Sequence, residues 1–272
     1  MAEEPAGRRG MMKIGFMQGR LTEKNGFFPQ SFPQSEWEKE FETASQMGFS
    51  CIEWMFNADE WENNPIITDE GIEAILCRCE LTGVQVSGIC ANYYMKNSIY
   101  TDKTDILPRL VKNAKKLGCK SIILPLFELS DIEVYGEKGF AILEEICNKV
   151  ADDKVQILLE TDISMEMAAE FCNRSSGNVG ICYDIGNATG FGKDVVCEIK
   201  KYGQVIRNVH LKDKKQGGTT VMFGTGDAPF AECFRQLEKI NYQGCYILES
   251  YYENALEDTK SNFEDIKGIL GL

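Results

Sequence analysis

The sequence predicts a single (β/α)8 barrel, and two features of the chain carry that prediction. Eight short apolar runs recur along the 272 residues, and a helix-like amphipathic segment separates each run from the next. The runs are almost continuously apolar, as parallel strands covered on both faces are. A doubly wound sheet is the alternative, but the segment after the first run, MQGRLTEKNG, lacks the G-x-G-x-x-G spacing of its phosphate-binding turn. We therefore expect one barrel domain over residues 11–272, preceded by a disordered leader or tag remnant over residues 1–10.

The eight runs are the predicted barrel strands, and each is short enough to be one strand of such a barrel. In chain order they are Lys13–Met17, Ser50–Phe56, Val84–Cys90, Ser121–Leu126, Val155–Glu160, Val179–Asp184, Val205–Lys212 and Cys245–Glu249.

The segments between the runs carry helix signals. Ser35 and Glu38 have capping-box spacing, and Trp37, Phe41 and Ala44 follow on one helical face. Two later segments repeat this periodicity, with apolar faces formed by Leu107, Leu110, Ala114 and Leu117, and by Phe230, Phe234, Leu237 and Ile240. Glycine just before a strand predicts a left-handed helix C-cap, and this pattern occurs at Gly48, Gly83, Gly118 and Gly244.

Composition limits the partners and the compartment. The 42 acidic residues outnumber the 29 basic ones and give a net charge of −13, which repels nucleic acids and anionic membranes. That charge leads us to expect no nucleic-acid partner. We also expect no membrane partner, because no apolar segment approaches the length of a membrane span. The 11 cysteines are odd in number, lie mostly in apolar segments and form no C-x-x-C pair. Free buried thiols in a reducing cytoplasm account for this better than a disulfide framework.

Ionisable side chains stand at the ends of four consecutive predicted strands: Glu160, Asp184, His210 and Glu249. A strand-end carboxylate often only caps the next helix, and a lone histidine is often structural. Four neighbouring strand ends bearing such groups are harder to explain in that way, because function in this fold lies at the carboxyl ends of the strands. Three carboxylates and one imidazole suit one divalent ion, either Mn²⁺, Mg²⁺, Co²⁺ or Zn²⁺. His210 is also the only histidine in the chain, which favours one metal ion over several.

Several motifs, in this order, resemble those of the sugar phosphate isomerases and epimerases with a xylose isomerase-like TIM barrel. The resemblance spans the chain from KIGFMQGRL to YILES. GFSCIEWMF resembles the second strand of that family, LLETD the fifth, CYDIGNATG the sixth, NVHLKD the seventh and NYQGCYILES the eighth. FGTGDAPF resembles the Gly-x-Gly segment that precedes the last helix of the family.

The resemblance implies a reaction and a role for each of the four side chains. All four would hold one divalent metal ion, and Glu160 and Glu249 would also be the acid/base pair of a ketose or ketose phosphate epimerase. Chelation of the ketose acidifies the C–H at C3 and stabilises an enediolate, so one glutamate removes a proton and the other returns one to the opposite face. The substrate would be a small sugar or sugar phosphate. Barrels that this chain resembles often form homodimers or homotetramers, and the sequence leaves the oligomeric state open.

Four further residues are candidates for substrate binding: Asn187, Lys212, Glu53 and Arg20. The resemblance favours Glu53 either as a substrate contact or as a group that supports the metal ligands from behind. Asn187 matches the D-x-G-N form of the phosphosugar branch of the family, and it either hydrogen-bonds a sugar hydroxyl or is a turn residue. Lys212 either binds a phosphate or forms an ion pair with Glu249 or Asp184. Arg20 is either an anion clamp or a solvated loop residue. Asp213, although not a candidate ligand, is expected to orient His210 or a neighbouring loop.

Other functions remain open at the level of sequence. An aldose–ketose isomerase or a polyol dehydratase would use the same metal site. A non-catalytic sugar-binding barrel would need only the metal constellation. A phosphodiesterase resembling the abasic-site endonucleases is disfavoured, because such sites use several histidines and the chain is acidic.

Overall fold

Eight parallel strands close into a barrel in the computed structural model, which describes residues 13–22, 31–175, 177–249 and 254–271. The barrel strands are β1 (Lys13–Met17), β2 (Cys51–Met55), β3 (Gln85–Cys90), β4 (Ser121–Pro125), β5 (Gln156–Glu160), β6 (Val179–Asp184), β7 (Ile206–Leu211) and β10 (Cys245–Leu248). They neighbour one another in the order β1-β10-β7-β6-β5-β4-β3-β2. The predicted barrel is confirmed, and each predicted strand end lies within one residue of the observed end. The leader predicted over residues 1–10 lies outside the described residues.

Helices surround the barrel and connect its strands. Their bounds are α1 (Trp37–Met47), α2 (Asp69–Thr82), α3 (Tyr93–Lys96), α4 (Ile106–Leu117), α5 (Ile132–Lys149), α6 (Met165–Arg174), α7 (Ile185–Gly190), α8 (Val195–Tyr202), α9 (Phe230–Lys239) and α10 (Ala255–Leu270). Short 3-10 helices cover Trp61–Asn63, Pro65–Ile67, Glu128–Ser130 and Gly203–Val205. The predicted apolar faces of α1, α4 and α9 are buried against the barrel, except that Ile240 follows the last residue of α9 and is half-buried.

Helix termini follow the predicted signals at three glycines and depart from them at two places. Gly48, Gly83 and Gly118 have positive φ and end α1, α2 and α4. The prediction for Gly244 is wrong, because α9 already ends at Lys239 and the left-handed residue there is Asn241.

The capping box predicted at Ser35 and Glu38 is also wrong. Helix α1 begins at Trp37, one residue later than that motif requires, because a turn closes between the amide of Glu36 and the carbonyl of Pro33. The Glu38 carboxylate pairs with Arg78 of α2 instead of reaching back to the helix terminus.

A two-stranded hairpin follows the seventh barrel strand and stands above the carboxyl end of the barrel. Its strands β8 (Asp213–Lys214) and β9 (Thr220–Val221) are antiparallel. The Asp213 carboxylate accepts hydrogen bonds from the amides of Gly224, Gly226 and Ala228 at 2.8–3.3 Å. Asp213 therefore orders the loop after the hairpin, which agrees with one of its two expected roles.

The apolar core has two parts, one between helices and strands and one inside the barrel. The inner part is rich in sulfur and comprises Met17, Cys51, Met55, Cys90, Ile123, Leu158, Cys182 and Ile247. All 11 cysteines are free, and eight of them are buried. The sequence pattern predicted free buried thiols. Within the described ranges, no helix has both the length and the apolar character needed to cross a bilayer.

Candidate metal and substrate site

The four strand-end side chains meet at the carboxyl end of the barrel. Glu160 ends β5, Asp184 ends β6, His210 lies one residue before the end of β7, and Glu249 directly follows β10. All four are buried, and one candidate ligand atom from each lies within 4.8 Å of the others. The strand register produces this proximity, since Asp184 pairs with His210 and His210 pairs with Ile247, two residues before Glu249.

His210 is held from inside the barrel by Glu53 of β2. The Nε2 atom of His210 lies 2.8 Å from Oε1 of Glu53, and Asn208 Nδ2 donates a hydrogen bond to the other carboxylate oxygen at 2.5 Å. Glu53 is completely buried, and an ionised carboxylate can only accept hydrogen bonds, so we infer that both neighbours donate to it. This contact leaves the Nδ1 atom of His210 facing the acidic cluster, which is the orientation a metal-binding histidine requires.

The cluster contains buried polar atoms that lack hydrogen-bond partners. His210 Nδ1 and Glu249 Oε2 are 3.0 Å apart, yet neither has a hydrogen-bond partner among the described residues. The Oε1 atom of Glu160 is 3.8 Å from the same Nδ1 atom. Buried acceptors in this arrangement are costly unless a cation satisfies them. Three carboxylates and one imidazole are also a suitable donor set for a divalent ion, so the residues present fit the implied metal.

Lys212 balances part of the negative charge. Its ammonium group lies 2.6 Å from Asp184 Oδ2 and 3.0 Å from Glu249 Oε1, so the ion pairs considered from the sequence are both present. Burial raises the pKa of Asp184 to about 6, although Lys212 opposes this shift. Burial also disfavours the ionised form of Glu249, but Lys212 and His210 hold its pKa well below the ordinary value. The lysine therefore stabilises a charged Glu249 inside the barrel.

Asp184 serves the fold and the cluster together. Its Oδ1 atom accepts a hydrogen bond from the amide of Asn187 at 2.8 Å and caps the short helix α7. Its Oδ2 atom faces Lys212. Asp184 thus caps the next helix, which was the alternative to a metal role, and its second carboxylate oxygen remains for the cluster.

A cavity of about 330 Å³ opens beside the cluster, and its size suits a small sugar derivative. Glu160, Glu249, Arg20, Asn187 and Lys212 all line it. The remaining lining residues include two aromatic and four sulfur-containing side chains: Phe127, Phe191, Met95, Met17, Met55 and Cys90.

The structure brings three of the four predicted substrate-binding residues to this cavity. Arg20 is buried and donates from Nε to the backbone carbonyl of Glu249 at 3.0 Å, so it is not a solvated loop residue. Asn187 and Lys212 line the cavity. Glu53 does not line it, because its carboxylate is enclosed by His210 and Asn208.

Two polar residues of the site were not predicted from the sequence. Asn208, which holds Glu53, lies two positions before His210 and therefore shares its strand face. Lys214, which lines the cavity, lies two positions after Lys212. The alternation N-x-H-x-K-x-K was the available signal, but the turn from β7 into the hairpin could not be foreseen from it.

Comparison with known proteins agrees with the barrel fold. The model of the xylose isomerase-like TIM barrel family matches residues 41–268. The chain belongs to this family. The match includes all four residues of the cluster and both elements of the hairpin.

Individual relatives are distant but cover most of the chain. The L-ribulose-5-phosphate 3-epimerase UlaE of Salmonella heidelberg is 24% identical, over 85% of this chain and 88% of its own. A solved L-ribulose 3-epimerase superposes with a TM-score of 0.71 at 17% identity, covering 96% of this chain and 95% of its own. The IOLI protein, solved with a bound zinc atom, gives a TM-score of 0.72 at 16% identity, covering 96% of this chain and 98% of its own. At these identities the solved structures establish the shared fold.

Proposed function

We propose that this protein is a divalent-metal-dependent epimerase that inverts C3 of a ketose phosphate or a ketose. The observation that carries the proposal is the position of Glu160 and Glu249, whose carboxylates both approach His210 Nδ1 and both line the cavity. Inversion of a carbon needs one group to remove a proton and a second group to return one to the opposite face. Similarity to an L-ribulose-5-phosphate 3-epimerase over most of the chain supports the same reaction.

The proposed metal ligands are Glu160, Asp184, His210 and Glu249. A divalent ion bound there would polarise the ketose carbonyl and acidify the neighbouring C–H. Mn²⁺, Zn²⁺, Mg²⁺ and Co²⁺ all accept this donor set.

The side chains themselves would perform the proton transfers. One glutamate takes the proton from C3, and the other glutamate gives a proton to the opposite face of the same carbon. Lys212 contacts Glu249 at 3.0 Å and keeps that carboxylate ionised, as a general base requires. Asn187 and Arg20 supply polar contacts at the cavity wall.

Solvent exchange tests the proposal directly. The metal-loaded protein is incubated with a panel of ketoses and ketose phosphates in D₂O, and the position of deuterium is read by NMR. We expect deuterium at C3 together with the C3 epimer. Deuterium at C1 or C2 would indicate an aldose–ketose isomerase instead, and loss of water would indicate a dehydratase. Exchange on no sugar by the metal-loaded protein would refute the enzyme and favour a sugar-binding barrel.

The two glutamates have a matched control in this experiment. Glu160→Gln and Glu249→Gln remove the proposed base while keeping side-chain size, and each should reduce exchange at C3 by roughly 100-fold or more. Glu166→Gln changes an exposed glutamate on α6 and should leave the exchange unaltered. Undiminished exchange in Glu249→Gln would show that the acid/base assignment is wrong.

A further inference from the structure

Three lysines follow the site histidine, and they differ in their partners. Lys212 pairs with Asp184 and Glu249 at the cluster. Lys215 is half exposed and pairs with Asp227 at the surface. Lys214 lies between them in the sequence and lines the cavity, and within the described residues its ammonium group forms no ion pair. Its side-chain partner is the neutral Oδ1 atom of Asn187, at 3.3 Å.

Two glycines of α7 make room for the lysines beside the cavity. Gly186 and Gly190 are four residues apart and so lie on the same helical face. A Cβ atom at position 186 would come within 2.5 Å of Lys212 Cγ, and one at position 190 within 3.3 Å of the Lys214 side chain. Both lysine side chains therefore pack closely against α7 at its two glycines. The hydrogen bond to Asn187 sets the position of the Lys214 ammonium group.

The backbone of Lys214 is fixed as well. It pairs with Thr220 across the hairpin, and its carbonyl accepts a hydrogen bond from the amide of Asp227 at 2.9 Å. Thr220 lines the same cavity. Lys214, Thr220 and Asn187 thus bring side chains that carry an ammonium, a hydroxyl and an amide group to the lining of one cavity.

This region adjoins the cluster through Asn187. The amide of Asn187 donates to Asp184 Oδ1, and its side chain contacts Lys214. A sugar with its reacting carbons at the cluster would extend its far end towards this region. In a chain with a net charge of −13, a cavity lysine that has no acidic partner within the described part of the chain is an attractive site for an anion.

We propose that Lys214, with Asn187 and Thr220, binds the phosphate group of the substrate and gives the protein its preference for a ketose phosphate over the free ketose. This inference rests on the proposed function and assigns the phosphate contact to Lys214 instead of Lys212. Lys212 already forms ion pairs with two carboxylates, whereas Lys214 forms none with any residue that the structure describes. A phosphate monoester carries close to two negative charges at neutral pH and accepts several hydrogen bonds, which matches the three donor groups.

The test compares Lys214→Met with Lys215→Met, a matched control one residue away on the surface. For each protein, kcat/KM is measured with the phosphorylated and the free form of the same ketose. A charge-assisted hydrogen bond predicts that the ratio of the two values falls roughly 10- to 100-fold in Lys214→Met, mainly through KM for the phosphate. The ratio should stay unchanged in Lys215→Met. An unchanged ratio in Lys214→Met, or a wild-type protein without preference for the phosphate, would overturn the inference.

Binding of inorganic phosphate separates this inference from the proposed function. Calorimetric titration of the metal-loaded wild type and both variants measures the subsite without any turnover. Weaker phosphate binding in Lys214→Met than in Lys215→Met supports the subsite even if no sugar reacts, in which case only the proposed function fails. Equal phosphate binding by all three proteins refutes the subsite, whatever sugars react.

Discussion

The Nε2 atom of His210 lies 2.8 Å from Oε1 of Glu53, although 157 positions separate the two residues in the chain. The contact crosses the barrel interior from β7 to β2, and both side chains are almost completely buried. It fixes the ring of the only histidine so that Nδ1 faces the three carboxylates. Positioning of this kind is typical of the outer partners of metal-binding histidines.

Replacing Glu53 should therefore weaken metal binding without removing a ligand. Glu53→Gln keeps the size of the side chain, but an amide has one acceptor oxygen and one donor group. It therefore cannot accept hydrogen bonds from both His210 and Asn208 on separate oxygens, as the carboxylate does. We expect the affinity for Mn²⁺ or Zn²⁺ to fall roughly 10- to 100-fold. Competition with a chelating dye measures that affinity.

The matched control for this variant is Glu198→Gln. Glu198 accepts a hydrogen bond from the hydroxyl of Tyr183 at 2.7 Å, outside the barrel interior. Its replacement should leave the metal affinity unchanged. Equal affinities in Glu53→Gln and the wild type would mean that Glu53 does not position the histidine.

The strands and the four-residue cluster could be predicted from the sequence because both depend on local pattern. Glu160 and Asp184 end apolar runs, and parallel strands necessarily bring such ends to one rim. The contact between Glu53 and Asn208 depends instead on the closure of the barrel, which joins β1 to both β2 and β10. The direction of Lys214 depends on a two-residue strand that no periodicity reveals. Long-range closure and short irregular turns are therefore what the sequence alone could not supply.

Asn64 should be important for stability although it lies outside the site. Its side chain accepts hydrogen bonds from Trp54 Nε1 at 2.9 Å and from the amide of Ile66 at 3.1 Å, and it donates to the carbonyl of Met55 at 3.0 Å. Asn64→Ala would leave these buried groups without partners and should lower the free energy of unfolding by roughly 3 kcal/mol. Urea denaturation of this variant and of Asn63→Ala, an exposed neighbour, provides the measurement. Equal losses in the two variants would contradict the assignment.

Two glycine-to-alanine changes should have opposite effects. A Cβ atom at Gly186 would lie 2.3 Å from the backbone oxygen of Lys212, so Gly186→Ala must displace the backbone beside the cluster. We expect it to lower stability by about 1–3 kcal/mol. Gly268 is exposed in α10 with open space around it, so Gly268→Ala should raise stability by about 0.5–1 kcal/mol. Thermal unfolding compares the two, and a Gly186→Ala variant as stable as the wild type would show that the close approach is tolerated.

Asp213 should control opening of the loop after the hairpin. Its carboxylate accepts hydrogen bonds from the amides of Gly224 and Gly226, and hydrogen bonds to charged groups contribute roughly 1.5–3 kcal/mol. Asp213→Asn should speed hydrogen–deuterium exchange at these amides by roughly 10-fold or more. Asp227→Asn, which affects the amide of Gln216, should leave them protected. Unchanged protection of Gly224 and Gly226 in Asp213→Asn would contradict this role.

The proposed function depends above all on one divalent metal ion bound by Glu160, Asp184, His210 and Glu249. The most direct measurement is the metal content of the folded protein after it has been stripped, loaded separately with Mn²⁺, Zn²⁺, Mg²⁺ or Co²⁺ and freed of excess ion. We expect one ion per chain with at least one of these metals, the same content in Glu166→Gln, and loss of the ion in Glu160→Gln combined with His210→Gln. A folded wild-type protein that retains none of the four ions would contradict this expectation.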